Sequence, residues 1–245
     1  MPRVGRKREL KFATEKYWRQ EITASELLSI ATDVVDDIYN QQLNAGIDLI
    51  PVNDFSFYDR VLDLCCFLGV TPERFSQNVK PFFLDEYFRL ARGDGDIAAM
   101  EMTKWFDTNY HYLVPEIEAT TSPSFSDQLF AQQVLPELDS KKQKFCLIGP
   151  VTFLALAKSE DSVDKYSIKE ELTNAYTDLL KHIENLGYTN IQIEEPILGS
   201  DLSDQDKSFF SGFYSKISEN LNPATKTHLV TYFGNIEDNI CLLYT

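Results

Sequence analysis

KFCLIGPVTFLALAK at residues 144–158 and IKEELTNAYTDLLKHIENLGYTNIQIEEP at residues 168–196 decide the fold. The first string opens with a short apolar run that Gly149-Pro150 stops, and residues 151–158 then start a helix. The second carries apolar residues at helical spacing over 168–186, stops at Gly187, and returns to an apolar run at 190–194 that Pro196 cuts off. A strand, a helical crossover and a second strand make a βαβ unit, and βαβ units build parallel sheets.

The same alternation extends outward in both directions. Thr23-Ala24-Ser25-Glu26 reads as a capping box opening a long helix, which Gly46 terminates in a left-handed conformation. IDLIPV from Ile47 is a buried parallel strand, residues 57–68 are helical with Gly69 as stop, and residues 84–91 and 97–106 are two further helical stretches. Residues 110–114 form a strand, and residues 118–126, rich in Ser, Thr and Pro, form a surface loop. A helix at 206–221, a strand at 227–232 and the beginning of one more helix complete the chain. Five strands are visible, with room for a stub before Gly5. The predicted fold is α/β, of the (β/α)8 TIM-barrel type, in a single domain over residues 1–245. It is truncated to about six strands, because closure would take about two more βα units beyond Thr245.

Composition narrows the function classes. The chain has 245 residues, 43% hydrophobic and 25% charged, so it can bury a core without disulfides or a structural metal. No apolar run reaches the roughly 18 to 20 residues of a membrane span, and MPRVGRKREL lacks the apolar stretch of a signal peptide, so a cytoplasmic location is expected. The net charge of −15 opposes binding to nucleic acids and anionic membranes. Residues 1–20 nevertheless hold seven Lys or Arg against Glu9 and Glu15, a surplus of +5 that leaves −20 for the rest. A basic head on an acidic body suits a small anionic ligand.

Strand ends hold the candidate chemistry, because parallel α/β folds bind ligands there. Glu194-Glu195-Pro196 places two carboxylates at such an end, where they could act as acid and base. The structural alternative is that one faces the interior while the other caps the next helix. Arg6-Lys7-Arg8-Glu9-Leu10-Lys11 follows Gly5 and opens a helix, so it is either a solvated charged turn or an anion site. Lys104 stands beside Trp105 and Phe106 in an apolar stretch, where a lysine tends to have a specific partner. His111 is expected to be a satisfied core histidine. Cys65, Cys66, Cys146 and Cys241 show no metal-ligand spacing with each other or with His111, His182 and His228, so reduced core thiols and no bound metal are expected.

Several strings carry a resemblance. Arg8-Glu9-Leu10-Lys11, GIDLIPVNDFSFYD from Gly46, AMEMTKWFDTNYHYLVPE from Ala99, GPVTFLALAK from Gly149 and IQIEEP from Ile191 resemble, in order, the N-terminal domain of cobalamin-independent methionine synthase. That family is the 5-methyltetrahydropteroyltriglutamate–homocysteine methyltransferases, which have two face-to-face barrels with the catalytic zinc and homocysteine site in the C-terminal one. The resemblance implies that Arg8, Glu9, Leu10, Lys11 and Lys104 contact the polyglutamate tail of the folate. A chain of glutamates is a polyanion, and a charge-assisted hydrogen bond contributes about 1.5 to 3 kcal/mol against about 0 to 1 for an exposed ion pair. The family pattern has Asp-Glu-Pro where this chain has Glu194-Glu195-Pro196, an extra methylene on the first carboxylate.

The zinc-bearing barrel is absent from this sequence, so the implied role is folate-tail binding without catalytic residues or cofactor of its own. A separate zinc-bearing chain would then be the partner in methyl transfer. The alternatives are an independent metal-free barrel enzyme using Glu194, Glu195 and Lys104 on a small anionic substrate, or an inactive fragment.

Overall fold

The computed structural model describes residues 4–76, 83–136 and 140–244. Two helices that pack on each other come first, α1 (Glu9–Trp18) and α2 (Ala24–Asn44). The capping box of α2 forms as expected: the Thr23 hydroxyl accepts from Glu26 N at 3.2 Å, and the Glu26 carboxylate accepts from Thr23 N at 2.7 Å. Gly46 then reverses the chain at φ 76°, with Ile47 N donating to Gln42 O. There follow β1 (Ile50–Val52), α3 (Arg60–Phe67), α4 (Phe83–Arg92), β2 (Met102–Lys104), β3 (His111–Leu113), β4 (Glu116–Ile117) and α5 (Asp127–Phe130). The second half runs β5 (Gln143–Ile148), α6 (Pro150–Leu156), β6 (Lys158–Ser159), α7 (Lys169–Asn185), β7 (Asn190–Glu194), α8 (Asp204–Asn220) and β8 (Lys226–Val230). Short 3-10 helices occupy Pro196–Gly199 and Glu237–Tyr244.

The main sheet has the order β1-β5-β7-β8, and every pairing in it is parallel. Its register sets Val52 against Phe145, Ile148 against Glu194, and Glu194 against Val230, so the strands end together on one side. Phe145, Ile191 and Ile193 on the central strands, Leu172, Leu179, Leu180 and Ile183 of α7, and Leu62 and Cys65 of α3 are buried in one core. This is the α/β parallel architecture expected from the βαβ reading. Among the described residues six strands enter parallel pairings, four in the main sheet and two in the separate pair β4–β6. Of the stub expected before Gly5, residues 1–3 lie outside the described residues and Val4 is in a turn.

One stretch differs from expectation. Residues 97–106 were predicted helical, but β2 pairs antiparallel with β3, setting Lys104 opposite His111. Gly93 and Gly95, both at positive φ, and the Asp94–Ile97 bridge turn the chain away from α4 before a helix can continue. Trp105 N donates to Tyr110 O at 2.8 Å, and Phe106 takes a left-handed φ of 50° to close the tip. The strand at 110–114 therefore exists, but it pairs in this hairpin and not in the main sheet. No helix among the described residues is long and apolar enough to cross a membrane.

Candidate anion site and strand-end carboxylates

The shared end of the main sheet gathers Asn53 after β1, Gly149 after β5, Glu194 at the end of β7 with Glu195 directly after it, and Tyr232 after β8. Glu194 is held on three sides. Arg60, from the first turn of α3, reaches both of its oxygens at 3.1 to 3.2 Å, Gln192 Nε2 donates at 3.0 Å, and the Tyr232 hydroxyl donates at 3.1 Å. Burial alone would weaken the hold of the Arg60 guanidinium on its proton, but the adjacent Glu194 carboxylate outweighs it and the pKa is raised. The pair is an internal ion bridge across the sheet end.

Glu195 has a different task. It is fully buried and accepts from Val151 N at 3.1 Å, Thr152 N at 2.6 Å and the Tyr214 hydroxyl at 3.1 Å. It caps α6 from outside, using the free N–H groups that Pro150 leaves at the helix start. The sequence alternative of one interior and one capping carboxylate is thus realised, except that the capped helix follows β5 rather than β7. Burial pushes the Glu195 carboxyl up to about 7, against the pull of its hydrogen bonds. The backbone comes so close that a Cβ at Gly149 would lie 2.1 Å from Glu195 Cδ. In this arrangement Glu194 is paired with Arg60 and Glu195 is enclosed at the start of α6.

The basic head stands elsewhere. Arg8 is the N-cap of α1 at φ 64° with no side-chain capping bond, and its guanidinium lies 5.8 Å from the Phe12 ring centre. Glu9 folds back to accept from Lys7 N at 2.9 Å, Leu10 is buried, and Lys11 makes an exposed pair with Glu15 at 3.6 Å. Arg6 is bound to Asp37 through two 3.0 Å contacts. Arg8 and Lys11 therefore remain at the surface beside a helix start, while Leu10 anchors the turn in the core. Lys104 is exposed at the end of β2. The five predicted positions lie on two elements, residues 8–11 at the start of α1 and Lys104 at the end of β2.

His111, expected in the core, is exposed, its Nδ1 3.1 Å from Asn109 O. It starts the strand rather than lying within it, so the following Tyr112 and Leu113 take the buried places. Cys65, Cys66 and Cys146 are buried free thiols, as expected, while Cys241 is exposed. Burial raises the pKa of all three buried thiols and keeps them protonated. No group of three or more His, Cys, Asp or Glu among the described residues could hold a metal ion, so these residues do not fit a catalytic zinc.

One cluster escaped the sequence reading. Asp59, 1% exposed, is the N-cap of α3 and accepts from Leu62 N at 3.0 Å, Leu113 N at 3.2 Å and the Tyr110 hydroxyl at 2.8 Å. One turn later Asp63 accepts from the Tyr87 hydroxyl at 2.8 Å. Burial raises both carboxyls, that of Asp63 to about 7. The signal was available for Asp59, an aspartate directly before an apolar helical run. Asp63, inside that run, carried none.

Comparison with known proteins places these features. The family described as "Cobalamin-independent synthase, N-terminal domain" matches residues 1–245. The 5-methyltetrahydropteroyltriglutamate–homocysteine methyltransferase of Histophilus somni is 40% identical over 244 residues, covering 99% of this chain and 32% of that protein. Those of Neisseria meningitidis serogroup B and Salinibacter ruber are 41% and 37% identical, again with 32% of each covered. The chain thus spans about a third of the length of the curated relatives it matches. A crystal structure described as a putative vitamin-B12-independent methionine synthase from Listeria monocytogenes superposes with a TM-score of 0.57 at 14% identity, over 90% of this chain and 60% of that one, a likeness of fold. By the match along its whole length, the chain belongs to the N-terminal domain family of the cobalamin-independent synthases.

Proposed function

We propose that this chain is the folate-polyglutamate-binding, N-terminal part of a cobalamin-independent methionine synthase, without catalytic residues of its own. Arg8, Glu9, Leu10, Lys11 and Lys104 bind the tail of 5-methyltetrahydropteroyltriglutamate in this reading, and residues 1–245 act as one barrel-type domain. The observation that carries it is the match, along the whole of this chain, to about a third of relatives whose printed name contains that triglutamate. The site geometry supports it: Arg8 and Lys11 stand exposed at a helix start, and Lys104 is an exposed lysine on an otherwise acidic chain. Leu10 and Glu9 shape the turn, one by packing and the other by accepting from Lys7 N. Methyl transfer to homocysteine needs a thiolate, and no group among the described residues could hold a metal for one, so a zinc-bearing barrel outside residues 1–245 completes the reaction.

Calorimetric titration with mono- and triglutamyl methyltetrahydrofolate tests the proposal. Affinity should rise with tail length and fall as salt is raised. Lys104→Ala should weaken triglutamate binding about 5- to 150-fold, whereas Lys7→Ala should have a much smaller effect. Equal affinity for the two ligands in a folded chain would overturn it.

A further inference from the structure

The hairpin that carries Lys104 is fastened at its two ends by different devices. At its base Arg74 donates to Ala98 O at 3.0 Å and Ala99 O at 3.2 Å, and binds the Glu116 carboxylate at 2.5 and 2.8 Å. Glu116 also accepts from Glu101 N at 3.2 Å, so the entering and leaving strands are joined through one guanidinium and one carboxylate. At the tip, Tyr110 is 39% exposed, yet its hydroxyl reaches inward to Asp59, which is 1% exposed. The other Asp59 oxygen accepts from Leu113 N, three residues along the same strand. A single buried carboxylate on the cap of α3 therefore holds β3 at two points. Trp105 N, the amide next to Lys104, in turn donates to Tyr110 O.

We propose that Tyr110 and Asp59 are positioning residues for Lys104, fixing the hairpin so that the lysine is presented in one orientation to an anionic ligand. The inference rests on the polyglutamate reading and specifies what sets tail recognition at that site. Asp59 cannot supply this role through bulk or charge at the surface, since it is enclosed. Tyr110 cannot supply it through core packing alone, since it is partly in solvent. What the pair contributes is a fixed distance between the start of α3 and the tip of the hairpin. A preordered lysine loses less side-chain and loop freedom when a carboxylate binds, which improves affinity without any new contact.

The test is a double-mutant cycle on the full 245-residue chain with Tyr110→Phe and Lys104→Ala, titrated with mono- and triglutamyl methyltetrahydrofolate. Tyr110→Phe removes one hydroxyl from a partly exposed residue and should lower the triglutamate-to-monoglutamate affinity ratio about three- to tenfold. In the Lys104→Ala background the same change should have no further effect on the ratio. Amide hydrogen exchange at the hairpin tip should quicken in Tyr110→Phe while α7 and β7 keep their protection. If Lys104→Ala lowers the ratio and Tyr110→Phe does not, or if the two effects simply add, the positioning role is wrong and the tail reading survives. If Lys104→Ala leaves the ratio unchanged, the tail reading itself fails and this inference falls with it. A Tyr110→Phe chain that does not fold, or exchange that quickens throughout, would make the hydroxyl a general stability element and also overturn the proposal.

Discussion

Glu195 and Asp63 are carboxyls in the interior, and burial pushes both up to about 7 against the pull of their hydrogen bonds and, at Asp63, of the nearby Arg60. A carboxyl whose pKa is raised in the folded state binds more protons folded than unfolded between its ordinary value and about 7. Stability then falls as pH rises through that interval, the reverse of the usual salt-bridged carboxylate. The thermal midpoint of the chain should therefore decline between about pH 5 and pH 8, and Asp63→Asn should flatten the decline; a midpoint that climbs over that range would refute the assignment. Glu195→Ala is expected to cost about 2 to 4 kcal/mol in urea unfolding, because it leaves Val151 N, Thr152 N and the Tyr214 hydroxyl without their acceptor. At this scale the sequence was half legible. The adjacency of Glu194 and Glu195 at a strand end announced that the two would face different ways. It did not tell that Arg60, far away in the chain, would lock the first, because an ion pair across a sheet depends on register that periodicity does not report.

Helix ends were the most readable elements, since their chemistry is local. The Thr23–Glu26 box and the Gly46 stop follow from bonds spanning three or four residues, and the structure contains both. Thr23→Ala should accordingly lower stability by about 1 kcal/mol, measured by the same unfolding curve, with no change in ligand binding. Gly149→Ala should cost about 1 to 3 kcal/mol although its backbone angles suit any residue, because the added methyl would collide with Glu195. The hairpin of β2 and β3 was the least readable element. Apolar residues at 97, 98, 100, 102, 105 and 106 satisfy a helical period as well as they satisfy anything, and only the pairing with β3 decides between the two. The same ambiguity hid Tyr110, whose partner lies on a helix cap in a different layer.

For the whole molecule, the parallel sheet followed from the alternation of strands and helices, and the order β1-β5-β7-β8 extends in one direction as the chain advances. What alternation could not supply was how the α1–α2 pair and the hairpin, which carry the basic head and Lys104, are set around the sheet. Charge also acts at this scale. With 38 acidic against 23 basic residues the folded chain repels itself, so its melting temperature should rise between about 0.01 and 0.15 M monovalent salt, as the Debye length falls from about 30 to 8 Å. A melting temperature indifferent to salt over that range would mean that local pairs already neutralise the surplus.

The unidirectional strand order has a kinetic consequence. β1 meets its neighbour only when Ile50 finds Gln143, across the whole excursion of α3, α4 and the hairpin, whereas β7 joins β5 after the shorter crossover of α6, β6 and α7, and β8 joins β7 after α8. Closing the longest loop costs the most chain entropy, so the rate-limiting nucleus should contain the β1–β5 contact, and the later strands should accrete onto it. During synthesis, the growing chain would expose an unfinished β1 edge until β5 leaves the ribosome, which makes residues 50–143 the interval over which a chaperone has most to protect.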